Sequence, residues 1–188
     1  MTDSLRADAV RNIELIVGAA AGAFAEDGTG ISMTEVANRA GVGVSTLFRR
    51  FPTKSDLIDA VFSASVTRWL SQLSGALHRP SAWSAVRDLI RQVTEEQARQ
   101  PASANMIVTS FLHGDGFLTE RQQTEEAISA LLNRAKGAGE IRHDIEWWDV
   151  RLVLEANAGV LMAGEEDAAA SSRRLVARLL DGFEQPAA

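Results

Sequence analysis

The chain has 188 residues, enough for one large domain or two small ones with an ample core, and a formal net charge of −6. Its hydrophobic content of 46% against 23% charged is ordinary for a soluble globular protein. It has no cysteine, which excludes disulfides and thiolate metal sites and makes a reducing cytoplasm the natural compartment, and it has no run of about 18 apolar residues to span a membrane. With only four prolines, and β-branched residues that rarely alternate with polar ones, the chain reads as all-α.

Residues 1–4 read as a loose arm. A first helix is expected from about 7 to 26, with Ile13, Ile16, Val17, Ala20 and Phe24 on one apolar stripe. The alanine-rich stretch 13–25 invites comparison with a signal peptide. Glu14 interrupts it, however, and its apolar residues recur at helical spacing, which predicts an amphipathic helix instead. Asp27-Gly28-Thr29-Gly30 is a turn by composition. Ser32-Met33-Thr34-Glu35 has the pattern of a capping box, in which the Ser32 hydroxyl accepts from the third amide and Glu35 reaches back.

The next stretch, Val36-Ala37-Asn38-Arg39-Ala40-Gly41-Val42-Gly43-Val44-Ser45-Thr46-Leu47-Phe48-Arg49-Arg50-Phe51, holds two short helical patterns around a tight turn. Val36, Ala37 and Ala40 share a face of the first. Gly41 stops it, because glycine alone takes a left-handed backbone at no steric cost. Val42 fills the corner. After Gly43 a second helix starts, with Leu47 and Phe51 facing inward four residues apart. This is a helix-turn-helix, whose second helix is free to enter a DNA major groove. The exposed face of that second helix carries Ser45, Thr46, Arg49 and Arg50. Between residues 36 and 55 lie four basic side chains (Arg39, Arg49, Arg50, Lys54) and no acidic one, so an acidic chain gathers bare positive charge where phosphates would lie. Gly43 gives the second helix no side-chain cap.

Thr53 caps a long helix, with Asp56 as its third residue completing a weaker box. That helix is expected to reach about residue 77, some 36 Å at about 1.5 Å per residue. Ser81 caps a further helix that ends before Pro101. A shorter helix is expected over 102–112, a loop over 113–116, a helix from about 119 to 136, one from about 147 to 163 and one from about 168 to 183. The layout has about nine helices, divided into a DNA-binding head at 1–53 and a second helical domain at 54–188. Leu152, Ala156, Gly159, Val160 and Ala163 form a stripe of mostly small residues on one late helix. Leu175, Leu179 and Phe183, with Val176 and Leu180, form another on the last. Each stripe fits a partner surface or an intrachain core. Trp147 and Trp148 are neighbours on a helix and cannot share a face, so one is expected in the core and one at an interface. Asp144 is expected to cap the helix that follows it.

Residues 20–57 resemble the DNA-binding domain of the TetR family of bacterial transcriptional regulators. The matching pieces are Ala20…Phe24-Ala25-Glu26…Gly28, then Val36-Ala37…Ala40-Gly41-Val42, then Thr46-Leu47-Phe48…Phe51-Pro52-Thr53-Lys54…Leu57. Gly139-Glu140-Ile141-Arg142…Asp144 is similar to the loop before that family's penultimate helix. The resemblance implies a cytoplasmic homodimeric regulator, in the usual case a repressor released from a palindromic operator by a small molecule. It implies DNA contacts from Thr34, Val44, Ser45, Thr46, Phe48, Arg49, Arg50 and Lys54, the last standing where the family keeps a phosphate-binding lysine. It implies that the last two helices pair with their copies through Leu152, Ala156, Gly159, Val160, Ala163, Leu175, Leu179 and Phe183. It also implies an effector pocket in the middle of the chain, for which the candidates are Trp69, Gln72, Trp83, Asn105, Met106, Phe111, His113, Phe117 and Leu131. Large soft side chains suit a mainly apolar ligand, and equally a plain core. The sequence departs from the family in carrying Phe48 where a tyrosine hydroxyl usually contacts phosphate, Val44 where a polar residue is common, and Gly43 as the cap.

Catalysis has little support. His113-Gly114-Asp115 and His143-Asp144-Ile145-Glu146 are loop groupings, with no histidine–carboxylate pair at helical metal-binding spacing, no nucleophile elbow and no phosphate-cradling glycine loop. No cofactor, metal or catalytic residue is expected. The alternative function is a helical module sensing a small molecule, or a metal or pH through His113 and His143, in which DNA binding is weak or lost.

Overall fold

The computed structural model describes residues 2–99, 108, 111–112, 117–163 and 167–185, with side chains from residue 11 onward, Ala25 excepted. The chain is all-α, as its composition requires. Its helices, among the described residues, are α1 (Thr2–Asp27), α2 (Met33–Ala40), α3 (Val44–Arg50), α4 (Lys54–Leu77), α5 (Ala82–Arg99), α6 (Leu118–Gly137), α7 (Trp147–Met162) and α8 (Ala168–Asp181). Residues 108, 111 and 112 are helical, while the rest of the helix expected over 102–112 and the loop over 113–116 lie outside the described residues. The loose arm expected at 1–4 is corrected at its described positions, since α1 already begins at Thr2. Charged and polar residues there offer no stop signal, and the helical period simply runs on.

The chain folds as two compact units, Met1–Thr67 and Arg68–Ala188, so the division falls inside α4. In the first unit Ile16, Ala20, Ala23 and Phe24 of α1 pack with Val36 and Ala37 of α2, Leu47 of α3, Phe51, and Leu57 and Val61 of α4. The first turn of α4 is closed reciprocally: Asp56 N donates to Thr53 Oγ1 (3.1 Å) and Thr53 N donates to Asp56 Oδ2 (2.8 Å).

The second unit is built around α5. Its amphipathic face (Trp83, Val86, Leu89, Ile90) meets Ile128, Leu131 and Leu132 of α6, Val150, Val153 and Leu154 of α7, and Val176 and Leu180 of α8. Where α5, α7 and α8 meet, the core is polar. Ser172 Oγ donates to Asn157 Oδ1 (2.6 Å), Asn157 Nδ2 donates to Gln97 Oε1 (3.0 Å), and all three side chains are buried. Partnered in this way, they avoid the desolvation cost of a lone buried amide or hydroxyl.

The loop after α6 is fastened to the segment after α8. Gly139 turns at φ +70°. Ile141 is then fully buried and forms an isolated antiparallel bridge with Glu184, in which Arg142 N donates to Phe183 O (3.0 Å). Glu140 accepts from Trp83 N (3.0 Å) and Ser81 Oγ (2.9 Å) at the start of α5, where Ser81 Oγ also caps Ser84 N (3.1 Å). Glu184 Oε1 accepts from Trp83 Nε1 and Arg87 Nη1, both at 3.0 Å.

Three local expectations are corrected here. Asp144 does not cap α7: it is engaged by Arg142, whose Nε donates to Asp144 Oδ1 (2.9 Å). The cap is Glu146, whose N donates to Asp149 Oδ2 (2.7 Å), while its carboxylate takes Lys136 Nζ (2.6 Å). The helix expected to run through residue 183 ends at Asp181, and Phe183 turns back into the core, its ring 6.0 Å from that of Trp83. Glu35 does not reach back to close the expected box on α2; its carboxylate accepts from Arg39 Nε one turn on (3.2 Å).

Candidate nucleic-acid interface

The turn between α2 and α3 is fixed by backbone chemistry. Gly41 sits in the left-handed region (φ +66°, ψ +26°), a conformation that a Cβ disfavours. It lets Val42 N donate to Ala37 O and Gly41 N to Asn38 O, both at 3.1 Å, which satisfies the last carbonyls of α2. At the start of α2, Ser32 Oγ accepts from Glu35 N (3.1 Å). Gly43 begins α3 without a side-chain cap, as its lack of a side chain dictates. Leu47 is the one residue of α3 that is buried, at 0% exposure, and Phe51 closes the helix by donating its N to Leu47 O (2.8 Å).

This anchoring leaves most of the second half of α3 open to solvent. Ser45, Phe48, Arg49 and Arg50 are exposed, as is Thr34 on α2. Thr46 and Lys54 are half-buried, and Val44 is half-buried against the core of the first unit. The structure thus gathers the eight candidate DNA-contacting residues around α2, α3 and the start of α4, with Thr46 less open than the helical pattern predicted. Among the described residues, no carboxylate pairs with Arg49, Arg50 or Lys54.

Arg39 behaves differently, and the count of bare charges is corrected accordingly. Its guanidinium donates to Asp27 Oδ2 (2.7 Å), Glu26 Oε2 (2.9 Å) and Glu35 Oε1 (3.2 Å). The hydrogen bond to Glu35, and then that to Asp27, hold its pKa above the ordinary arginine value against the opposing effect of desolvation. Arg39 therefore ties the end of α1 to α2, and the free positive charge of the region is Arg49, Arg50 and Lys54. The sequence window from 36 to 55 could not reveal this, because two of the three partners lie 12 and 13 residues upstream on another helix.

The candidates of the second unit fall into two groups. Trp148 and Leu152 of α7 are each 58% exposed and Met162 is 69% exposed. Ala156, Gly159 and Ala163 are exposed, Val160 is half-buried, and so are Leu175 and Leu179 of α8. A Cβ built on Gly159 meets nothing within 4 Å. On α7 the large exposed side chains alternate with small ones on one outward side of the helix, where the Arg151 guanidinium lies 5.4 Å over the Trp148 ring. Met162 and Trp148 lie on this outward side, Trp148 being the exposed member of the tryptophan pair, and Phe183 does not, being covered by Trp83. Trp147 is buried in the core, as the helical geometry required of one of the pair.

Of the effector candidates, Trp69 is half-buried and donates its Nε1 to Thr124 Oγ1 (3.0 Å). Gln72, Phe111 and Phe117 are half-buried, with Phe117 opening α6 at φ +58°. Trp83 and Leu131 are core residues, Trp83 being taken up by Phe183 and Glu184. Asn105, Met106 and His113 lie outside the described residues. Among the described residues there is no cluster of three or more metal-binding side chains, and no helix is long and apolar enough to cross a membrane.

Comparison with known proteins adds a family to this geometry. Residues 16–61 match the family described as bacterial regulatory proteins, tetR family. Residues 81–185 match the C-terminal domain described as transcriptional regulator SbtR-like. A TetR transcriptional regulator from Streptomyces coelicolor is 31% identical over 93% of this chain and 99% of its own, with a TM-score of 0.68. The TetR transcription regulatory protein from Mycobacterium vanbaalenii is 28% identical over 96% of this chain and 99% of its own, with a TM-score of 0.66. The fatty acid degradation regulator FadR from Bacillus halodurans shares the fold at 18% identity, over 91% of this chain and 95% of its own (TM-score 0.58). No curated protein matches significantly.

Proposed function

The chain belongs to the TetR family of bacterial transcriptional regulators, a family of DNA-binding dimers rather than enzymes, and from that premise we propose that it represses transcription as a homodimer on a palindromic operator and is released by a small, mainly apolar effector. The observation that carries the DNA-binding part is the set of three cations, Arg49, Arg50 and Lys54, left without acidic partners around a helix anchored by one buried leucine. Cations that are already neutralised release no counterions on binding phosphate, and these three are not. Arg49, on the exposed face of α3, is assigned to base edges, and Lys54, at the start of α4, to backbone phosphate. One such head buries too little surface for a specific site, whereas two copies spaced about one DNA turn apart read a palindrome.

The outward side of α7 supports the dimer. Trp148, Leu152 and Met162 are large side chains exposed to water in the single chain, and Ala156, Gly159 and Ala163 let a second backbone approach closely. The effector is assigned to the second unit, around Trp69, Gln72 and Phe111, with operator affinity lowered by ligand through α4, which contributes residues to both units. Such coupling is reciprocal, typically about 5- to 150-fold, so operator DNA should weaken the ligand by the same factor.

The deciding experiment is selection of DNA from a random pool by the purified protein, followed by a reporter placed behind the selected sequence. A palindromic motif with half-sites about one turn apart, and reporter output that rises when the protein is removed, are the expected results. A pool that yields no motif would overturn the operator-binding reading, and reporter output that falls on removal would replace repression by activation.

A further inference from the structure

We infer that Phe48 reads a thymine methyl group, so that each operator half-site carries a thymine that this ring selects by apolar contact. The inference rests on the reading of α3 as the helix that enters the major groove. A phenylalanine exposed alone on a protein surface is ordinary and needs no explanation. This one differs by its place. It is 44% exposed on a seven-residue helix whose other open side chains are Ser45, Arg49 and Arg50, with half-buried Lys54 shortly after the helix end, at the start of α4. The ring is therefore the apolar part of a positively charged surface, and the partner that such a surface attracts is a polyanion. Of the groups that B-DNA presents in its major groove, the C5-methyl of thymine is the apolar one.

Two further observations narrow the contact. Phe48 has no hydrogen-bond donor, and the chain has no tyrosine anywhere, so position 48 cannot hold a phosphate oxygen. Phosphate binding then falls to the cations. Val44, one helical turn before Phe48, is half-buried against the core of the first unit. It supports that side of α3 and leaves the ring at 48 as the large exposed apolar group of the helix.

Removing a methyl group from the contact should cost about fourfold in affinity for one half-site and about fifteenfold when both halves of a palindrome lose it. The test uses the operator selected from the random pool. Each thymine is replaced in turn, symmetrically in both half-sites, by deoxyuridine, which lacks the methyl and keeps every hydrogen-bonding group. Binding is measured by fluorescence anisotropy with the wild-type protein, with F48A and with V44A, after circular dichroism has confirmed that each variant is folded. The expected result is one thymine per half-site at which deoxyuridine weakens the wild type by about fifteenfold, with the loss abolished in F48A and kept in V44A. Deoxyuridine without effect at every position of a selected motif overturns the inference while leaving operator binding intact, and this readout needs no variant to fold. A loss that persists in F48A, or that disappears only in V44A, overturns the assignment to Phe48. A pool that yields no motif overturns it together with the reading on which it rests.

Discussion

Replacing Asn157 by alanine would remove the centre of the buried polar junction among α5, α7 and α8. Ser172 Oγ would lose its acceptor at 2.6 Å, and the bond to Gln97 Oε1 at 3.0 Å would disappear. Stranding the buried hydroxyl costs about 1–3 kcal/mol, and the lost amide bond about another 1 kcal/mol. The space left by the amide adds roughly 1 kcal/mol where the surroundings do not collapse. The expected destabilisation is therefore about 3–5 kcal/mol, or a fall in Tm of roughly 6–20 °C for a chain of this size. Thermal unfolding followed by circular dichroism, at one fixed protein concentration because association stabilises the folded state, measures it. The decisive comparison is the double variant. Ser172→Ala removes the group that Asn157→Ala strands, so the two changes together should cost at least about 1 kcal/mol less than their sum. Additive losses, or an Asn157→Ala variant within about 0.5 kcal/mol of wild type, would refute the reasoning that this junction is held by its hydrogen bonds.

Three further outcomes are expected. Arg49→Ala should cost on the order of 1–3 kcal/mol in operator binding and relax the selected sequence, whereas Lys54→Ala should weaken all DNA about equally and lower the salt slope by about 1; titrations at several salt concentrations separate the two. Gly159→Arg should yield a folded monomer that binds operator poorly, since the site is open within the chain and lies on the outward side of α7; sedimentation at micromolar concentration checks it, and a wild type that sediments as a monomer removes the premise. The hydrogen bond from Arg142 holds the Asp144 carboxyl below its ordinary range, so its contribution to stability is complete above the usual carboxylate pKa and is lost as the pH falls through the lowered value. In Arg142→Ala the Asp144 resonance, followed by carbonyl NMR, should titrate at a higher pH, and an unmoved titration would show that the pair has no influence.

What the sequence revealed and what it hid divide by range. The stops and starts written within four residues were legible: Ser32 capping the amide of Glu35, Gly41 turning left-handed, and Thr53 and Asp56 closing on one another. The split between Trp147 and Trp148 was also legible, because helical geometry alone forbids a shared face. Choices between competing partners were not. Glu35 had the spacing to complete a cap and took Arg39 instead, because that guanidinium was already drawn into place by Glu26 and Asp27. Asp144 had the position of a cap and was claimed by Arg142 two residues away. Phe183 continued a helical stripe by spacing, yet the bridge between Ile141 and Glu184 and the ring of Trp83, 100 residues earlier, drew it into the core. For Glu35 and Phe183 the deciding atoms lay on another element, whereas Asp144 was decided by a competing partner within its own loop, a choice that spacing alone does not make.

Because α3 is held to the interior by buried Leu47 and half-buried Val44, the positions that face outward on it are nearly independent of the fold. A substitution at Ser45, Phe48 or Arg49 meets solvent in the free protein and leaves the packing of α1, α2 and α4 undisturbed, so its cost in stability is small. Selection on what this helix touches can therefore proceed one residue at a time without passing through unfolded intermediates. Duplicated copies of such a gene would be free to part company in their targets long before their architectures differ. The same economy makes the helix a practical place to graft a new recognition sequence by design, with Leu47, Gly41 and Phe51 kept as the fixed frame.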